Sequence, residues 1–363
     1  MKIIIILPFF KAGGTERQAS YIANYLQKKG HHVQVLCIEN TGHFGGLFDV
    51  SIHYLNSGFR NSRLVRNIYL VAKFLRNSDA ELIISRAWST NIICGFAGML
   101  TGLPVVHFLS GSIDLSGHSF LKKRIFTFVL SRSAKIISVS QASKENCIKW
   151  LNIDETRIEV IHNGVDIHNN QQLAKDEMEL PDGFNHTLPT ITFVGTQEHR
   201  KGVDILLQAA ELVVKKHPVN ILIIGKGESL EQYVAMRDQL KLKNYVFFLG
   251  EKLNPFPYMK NAPIFVLPSR AEGFPNVLLE AMSLKCAVIA ADCETGPREV
   301  IDGENGILVP VNDPQSLSNE MIKLISDPGK AKTLGENAFQ TIQHHFVLNK
   351  QMKKLEEILE RVI

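Results

Sequence analysis

Residues 264–282 read IFVLPSRAEGFPNVLLEAM. An apolar run ends near Pro268, a polar loop follows, and from Asn276 the residues read as a helix. Pro275 falls at or just before the helix start, where its missing N–H is harmless, and Asn276 is placed to cap it. The stretch is one strand–loop–helix unit. Glu272 then lies on the loop at the strand's carboxyl end, and Glu280 about one turn into NVLLEAM, which is otherwise apolar. An apolar helix face excludes a carboxylate unless something pairs with it.

The same alternation fills the chain. KIIIILP (2–8) reads as a buried strand and TERQASYIANYLQKKG as a helix ending at Gly30. HHVQVLCI, ELIISR, PVVHFLS, KIISVS and IEVIHNG follow as strands, separated by helical stretches such as RNIYLVAKFLRNS and QASKENCIKW. Weak periodicity and a PDG turn place a linker at 164–189. The alternation restarts with TITFVG, VNILIIGKG, NYVFFLG, APIFVLPS, CAVIAA and GILVP, and NKQMKKLEEILERVI closes the chain as an amphipathic helix. Strands spaced by helices predict βαβ units and parallel sheets, and fully apolar strands fit sheets covered on both faces. The 363 residues exceed one core at about 150 residues per domain. The predicted class is α/β, two Rossmann-like doubly wound parallel-sheet domains facing a central cleft, with ligands at the carboxyl ends of strands. Residues 1–165 form the first domain and 185–344 the second, with 345–363 packing back on the first.

Hydrophobic residues at 45% and charged residues at 21% describe a soluble globular enzyme rather than a disordered chain. The run IIIILPFF is too short to span a membrane, is broken by Pro8 and lacks a cleavage site, which predicts a cytoplasmic protein. Cys37, Cys94, Cys147, Cys286 and Cys293 are scattered, with no Cys-x-x-Cys pair, and read as reduced core thiols rather than disulfides or a zinc site. The net charge of +4 conceals an asymmetry. Residues 1–165 hold 19 Lys+Arg against 10 Asp+Glu, a balance of +9, and the remainder carries −5. Such an imbalance points to an anionic partner for the first half.

Three further loops carry chemistry. Gly13 and Gly14 in KAGGTERQA end the first strand and open a helix, where free N–H groups favour anions; a tight turn explains them equally well. TITFVGTQEHRKGVDILLQA ends a strand at Gly195 and sets Arg200 and Lys201 beside the next helix start. Arg binds phosphate oxygens bidentately and Lys acts as a point charge, so the pair suits a diphosphate, the alternative being a solvated charged loop. LIIGKGE brings Gly225 to a strand end, where backbone can approach a nucleotide. The Glu280 carboxylate would accept two hydroxyl hydrogen bonds, as a ribose provides, or pair with a cation such as Arg298.

EGFPNVLLEAM resembles the two-glutamate motif of glycosyltransferase family 4, the retaining sugar transferases of GT-B fold. GGTER resembles that family's first phosphate loop, VIHNGVD (160–166) its crossover segment and RKG its diphosphate site. The remaining motifs follow in family order over nearly the whole chain. The resemblance implies that Arg200 and Lys201 neutralise a donor diphosphate. It gives Glu280 the nucleotide ribose and Glu272 the sugar hydroxyls. Gly273, Phe274, Pro275 and Asn276 hold sugar and phosphates through their backbone, and Gly14 lies near the phosphate. It also implies front-face displacement with retention, a nucleotide-sugar substrate (a UDP-sugar, from CETGPREV), no separate cofactor, and no metal because fixed cations stabilise the leaving diphosphate.

Two positions depart from the family pattern. Thr196 stands where many members have Arg after the glycine ending the strand, and Arg200 is the substitute. His107 falls within its strand where members place an acceptor-side catalytic histidine further on, with Ser110 nearer that place; a strand-face histidine is the competing reading. SGFRNSRLVRNIYLVAKFLR and FLKKRIFTFVLSRSAK mix Lys and Arg with apolar residues at near-helical spacing. Such faces suit an anionic membrane surface, at the inner side of the plasma membrane, with a glycan or polyprenyl-linked acceptor taken by the first domain; solvated helix faces are the alternative. No nucleic-acid recognition module is present. A hexosyl- or N-acetylhexosaminyltransferase of surface-polysaccharide synthesis is the function implied. The alternatives are an epimerase of the same fold, which needs an acid/base set not located here, or a non-catalytic partner subunit, which should have lost these residues.

Overall fold

The computed structural model describes residues 1–10, 13–42, 44–57, 63–109 and 120–363. Two compact units emerge: Met1–Gly164 with Leu348–Ile363, and Val165–Val347. The first holds a seven-stranded sheet, in the order β3-β2-β1-β4-β5-β6-β7. Its strands are β1 (Lys2–Leu7), β2 (His32–Cys37), β3 (Ser51–Tyr54), β4 (Leu82–Arg86), β5 (Val105–Leu109), β6 (Lys135–Ser138) and β7 (Ile158–Val160). The second holds six strands, β10-β9-β8-β11-β12-β13. These are β8 (Thr190–Val194), β9 (Asn220–Ile224), β10 (Val246–Phe248), β11 (Ile264–Leu267), β12 (Ala287–Ala291) and β13 (Ile307–Val309). Every pairing is parallel.

Helices cover both faces of the first sheet. α1 (Gly14–Lys28) and α13 (Leu348–Glu360) cover one face. Ile3, Ile5, Ile84, Val106 and Phe108 pack there against Ile22, Leu26, Met352 and Leu355. α2 (Leu64–Arg76) and α3 (Trp88–Thr101) cover the other, on Ile4, Ile6 and Ile83. α4 (Phe120–Leu130) packs beside α3, where Val129 fills the space a Cβ at Gly95 would take, and α5 (Gln141–Leu151) follows β6. Alternate residues of one strand thus serve opposite cores, which is why the strands read as unbroken apolar runs.

The second unit contains α6 (Ile167–Leu173), α7 (Val203–Val214), α8 (Leu230–Gln239), α9 (Phe256–Lys260), α10 (Asn276–Ser283), α11 (Pro314–Ser326) and α12 (Pro328–His345). α11 and α12 begin alike: Asp313 and Asp327 cap them through side-chain oxygens, and proline takes the first turn.

Two readings of the sequence are corrected and one element is added. The stretch read as a linker carries α6, capped by Asp166, whose buried Asn170 bonds Ser283 at 3.1 Å. SIHY, unassigned above, forms edge strand β3. Asn276 is the first helical residue of α10, and Pro275, which takes the cap position, makes no side-chain cap hydrogen bond.

Candidate active site

In a doubly wound sheet the connections leave opposite faces at one place, and ligands gather there. In the second unit that place lies between β8 and β11. The loop after β8 carries Arg200 and Lys201 in a 3₁₀ turn, and the loop after β11 carries Ser269 to Pro275.

The two loops are laced together. Arg270 N donates to Arg200 O at 2.8 Å, and Arg200 Nη1 donates to Ala271 O at 2.9 Å. Arg270 also grips Asp204 bidentately at 2.9 and 2.6 Å, on the first turn of α7. Such a fork fixes direction as well as distance. Beneath it, Lys201 Nζ donates to Glu272 Oε1 at 2.7 Å and Ser269 Oγ to the same oxygen at 2.6 Å. Arg200 Nη1 lies 3.6 Å from Glu272 Oε2. Thr295 Oγ1 donates to the Glu272 carbonyl.

Glu272 is 6% exposed. Burial alone would push its carboxyl up, but Lys201's charge and hydrogen bond, the Ser269 hydroxyl and Arg200's charge together hold it below the ordinary 4.5. It is an anion that fixes a cation. A lysine ammonium has three donors, and this carboxylate takes one. Arg200 is half exposed, with Glu198 3.8 Å from it, a contact of little energetic consequence.

Glu280 sits on α10 at 8% exposure among Leu278, Leu279, Ala281 and Met282. Arg298, the cation offered as its alternative partner, bonds Asp292 instead. Phe274 is buried against Phe346, ring centroids 5.8 Å apart, which seats the loop holding Gly273. Gly225 has φ +132°, and a Cβ there would stand 2.0 Å from Gly195 O. Its freedom is needed for two protein loops to meet, a reason the sequence reading did not give.

In the first unit, Gly13 is extended and leads into α1, with Glu16 folded back over it: a Cβ on Gly13 would be 2.6 Å from Glu16 Oε2. His107 lies in mid-β5 at 0% exposure, Nδ1 2.6 Å from Ser85 Oγ, and burial pushes it down to about 3. A neutral, enclosed imidazole fits the strand-face reading. Ser110 lies outside the described residues. Sequence reasoning missed Arg270, Asp204, Ser269 and Thr295; Ser269 and Arg270 stand in the quoted loop itself, three and two residues before Glu272, and that adjacency was the available signal.

Comparison with known proteins identifies the class. The model for "Glycosyltransferase Family 4" matches residues 12–169 and that for "Glycosyl transferases group 1" residues 175–341. The HepE protein of Anabaena, solved with UDP and glucose, superposes with a TM-score of 0.86 at 23% identity, covering 99% of this chain and 100% of its own. A glycosyltransferase of Methanocaldococcus jannaschii is 30% identical over 77% of this chain and 75% of its own length. The N-acetylgalactosamine-N,N'-diacetylbacillosaminyl-diphospho-undecaprenol 4-alpha-N-acetylgalactosaminyltransferase of Campylobacter jejuni is 28% identical over 58% of this chain. That match spans 56% of the Campylobacter protein's length. The chain belongs to the family 4 glycosyltransferases of GT-B fold.

Proposed function

We propose that this chain transfers a hexose or N-acetylhexosamine from a UDP-sugar to a glycan or lipid-linked acceptor in surface-polysaccharide synthesis, with retention of configuration. The observation that carries it is the Lys201–Glu272–Ser269 cluster with Arg200, at the switch point of the second unit, on the loop that leads into the helix of Glu280. The UDP-bound Anabaena protein supports the nucleotide, and the undecaprenol-linked substrate named for the Campylobacter relative supports the acceptor. Glu280 receives the ribose hydroxyls. Lys201, with donors to spare beyond Glu272, and the Arg200 fork take the diphosphate. Glu272 accepts from sugar hydroxyls, and the backbone of Gly273 to Asn276 holds sugar and phosphate.

The C1–O bond to diphosphate breaks as a C1–O bond to the acceptor forms on the same face. The acceptor's proton passes to the departing diphosphate oxygen. Negative charge grows on that oxygen, and cations already fixed in place stabilise it without reorganisation. We assign His107 a structural role in β5, with Ser85.

Thermal melting with UDP, GDP and ADP tests the donor. At about 100 times its dissociation constant a ligand adds about 2.7 kcal/mol to stability. UDP should raise the melting temperature, and Glu280→Ala should abolish that rise whatever its own melting point. A response to GDP or ADP alone would overturn the choice of nucleotide; none to any would overturn the donor site.

The acceptor side of the proposal is a membrane surface. Among the described residues no helix is long and apolar enough to cross a membrane. The layer formed by α2, α3 and α4 nevertheless exposes Val65, Tyr69, Leu100, Phe120 and Leu121, at 54 to 79%. Arg66, Lys73 and Arg124 are exposed on the same helices. Basic and apolar groups together suit anionic lipid. The chain should sediment with phosphatidylglycerol vesicles, less so at high salt, and Phe120→Asp/Leu121→Asp should prevent it with an unchanged melting temperature. Equal binding to phosphatidylcholine vesicles would count against the electrostatic part, and no binding against the whole.

A further inference from the structure

The first unit has its own switch point, between β1 and β4. Arg86 is the last residue of β4 and is 1% exposed, the largest of the fully buried side chains. Strand alternation puts it on the same face as Ile84, under α1, next to its register partner Phe108. Its guanidinium lies over the Phe108 ring, 4.6 Å from the centroid. Among the described residues nothing accepts a hydrogen bond from Nε or Nη2.

That is an expensive arrangement. A guanidinium out of water requires acceptors, and a ring face satisfies charge only in part. Burial pushes Arg86 down to about 10, and the field of Glu16 pushes it up, so it stays charged at neutral pH. The residue after it, Ala87, has φ +87° and ψ 146°, a region open almost solely to glycine. Strain and two unmet guanidinium donors thus stand side by side at the carboxyl edge of the sheet, where β1 also delivers Gly13 to the start of α1.

We propose that Arg86 is an anion-binding residue of the first unit, holding a phosphoryl group of substrate through Nε and Nη2. The planar pair of donors matches two phosphate oxygens. Phosphoryl groups come from two sources, a diphosphate-linked acceptor or the donor. Arg86 belongs to the first unit and the Lys201 cluster to the second, and the test treats the two separately.

The probe is sodium pyrophosphate, with melting of the full chain as the readout. Lys201→Ala removes the second unit's contribution. A melting rise should persist in that variant and vanish when Arg86→Met is added, while Arg86→Lys should retain part of it. Without ligand, Arg86→Met should melt at or above the wild type, because it removes two buried donors that have no acceptor among the described residues. A purely structural arginine would show the reverse.

Kinetics then name the source. A rise of roughly 10- to 100-fold in KM for a polyprenyl-diphosphate-linked acceptor, with the donor's KM unchanged, places the phosphate on the acceptor. The same rise for the UDP-sugar places it on the donor. If Lys201→Ala alone abolishes the pyrophosphate response, or if Arg86→Met melts lower and still responds, the site does not exist. Failure of UDP to bind would count against the donor reading and leave this result standing.

Discussion

Lys201→Ala should lower kcat by about 10²–10³, the range seen when one preorganised donor is removed from a developing oxyanion. It should also destabilise the fold, in a pH-dependent way. Removing one partner of a buried ion pair typically costs about 3–5 kcal/mol, and Ser269 and Arg200 remain to reduce that here. In the wild type the Glu272 carboxyl is held below 4.5. A depressed carboxyl contributes stability that is present above its unfolded value and lost as pH falls through the folded one. In the variant the largest influence on Glu272, burial, loses its main opponent, and the carboxyl moves upward. The folded variant then gains most from taking up a proton.

The stability gap between wild type and Lys201→Ala should therefore be widest at pH 7 and narrow towards pH 4. Urea midpoints at the two values measure it. The double variant Lys201→Ala/Glu272→Gln should recover most of the stability at pH 7 and none of the rate. A gap indifferent to pH would mean that Glu272 is not held as an anion by Lys201. Recovery of rate in the double variant would mean that Lys201 serves only to neutralise Glu272.

Much of this was legible in the chain. Fully apolar strands between helices announced two parallel sheets, because such strands are buried on both faces. Arg200, Lys201 and Glu272 could be named because charged residues at strand ends mark the ligand edge of α/β sheets. Their mutual arrangement could not. Nothing in the spacing says that Glu272 reaches back 71 residues to Lys201, or that Arg270 clamps Asp204. β3 escaped notice because SIHY is a short edge strand with no fully buried residue. α6 escaped because its seven residues, IHNNQQL, carry almost no apolar pattern. Arg86 escaped because ELIISR reads simply as an apolar strand, and a charge at its end looks solvated until burial is known. Gly202 was read as part of RKG, one side of a cation motif, and its own demand on the fold was invisible.

Gly202→Ala should be among the most damaging single substitutions in the second unit. The residue has φ 69° and ψ 28°, and it caps the turn holding Arg200 and Lys201 while opening α7. A Cβ there would stand 2.1 Å from Pro268 O and 2.9 Å from Pro268 C. Those atoms are backbone at the end of a buried central strand and cannot rotate away. Gly250 supplies the control, with φ 68° and nothing within 4 Å of its would-be Cβ. Gly250→Ala should cost only the left-handed penalty, about 1–2 kcal/mol. Gly202→Ala adds overpacking of about 1–3 kcal/mol to the same penalty. At 2–4 °C per kcal/mol for a unit of this size, the melting temperature should fall by on the order of 10 °C. Activity should fall further than stability explains. The only relief is to part the two loops, and parting them separates Lys201 from Glu272 and Arg270 from the Arg200 carbonyl. Equal losses for the two alanines would show that the loops yield easily, and that the cation pair does not depend on their close approach.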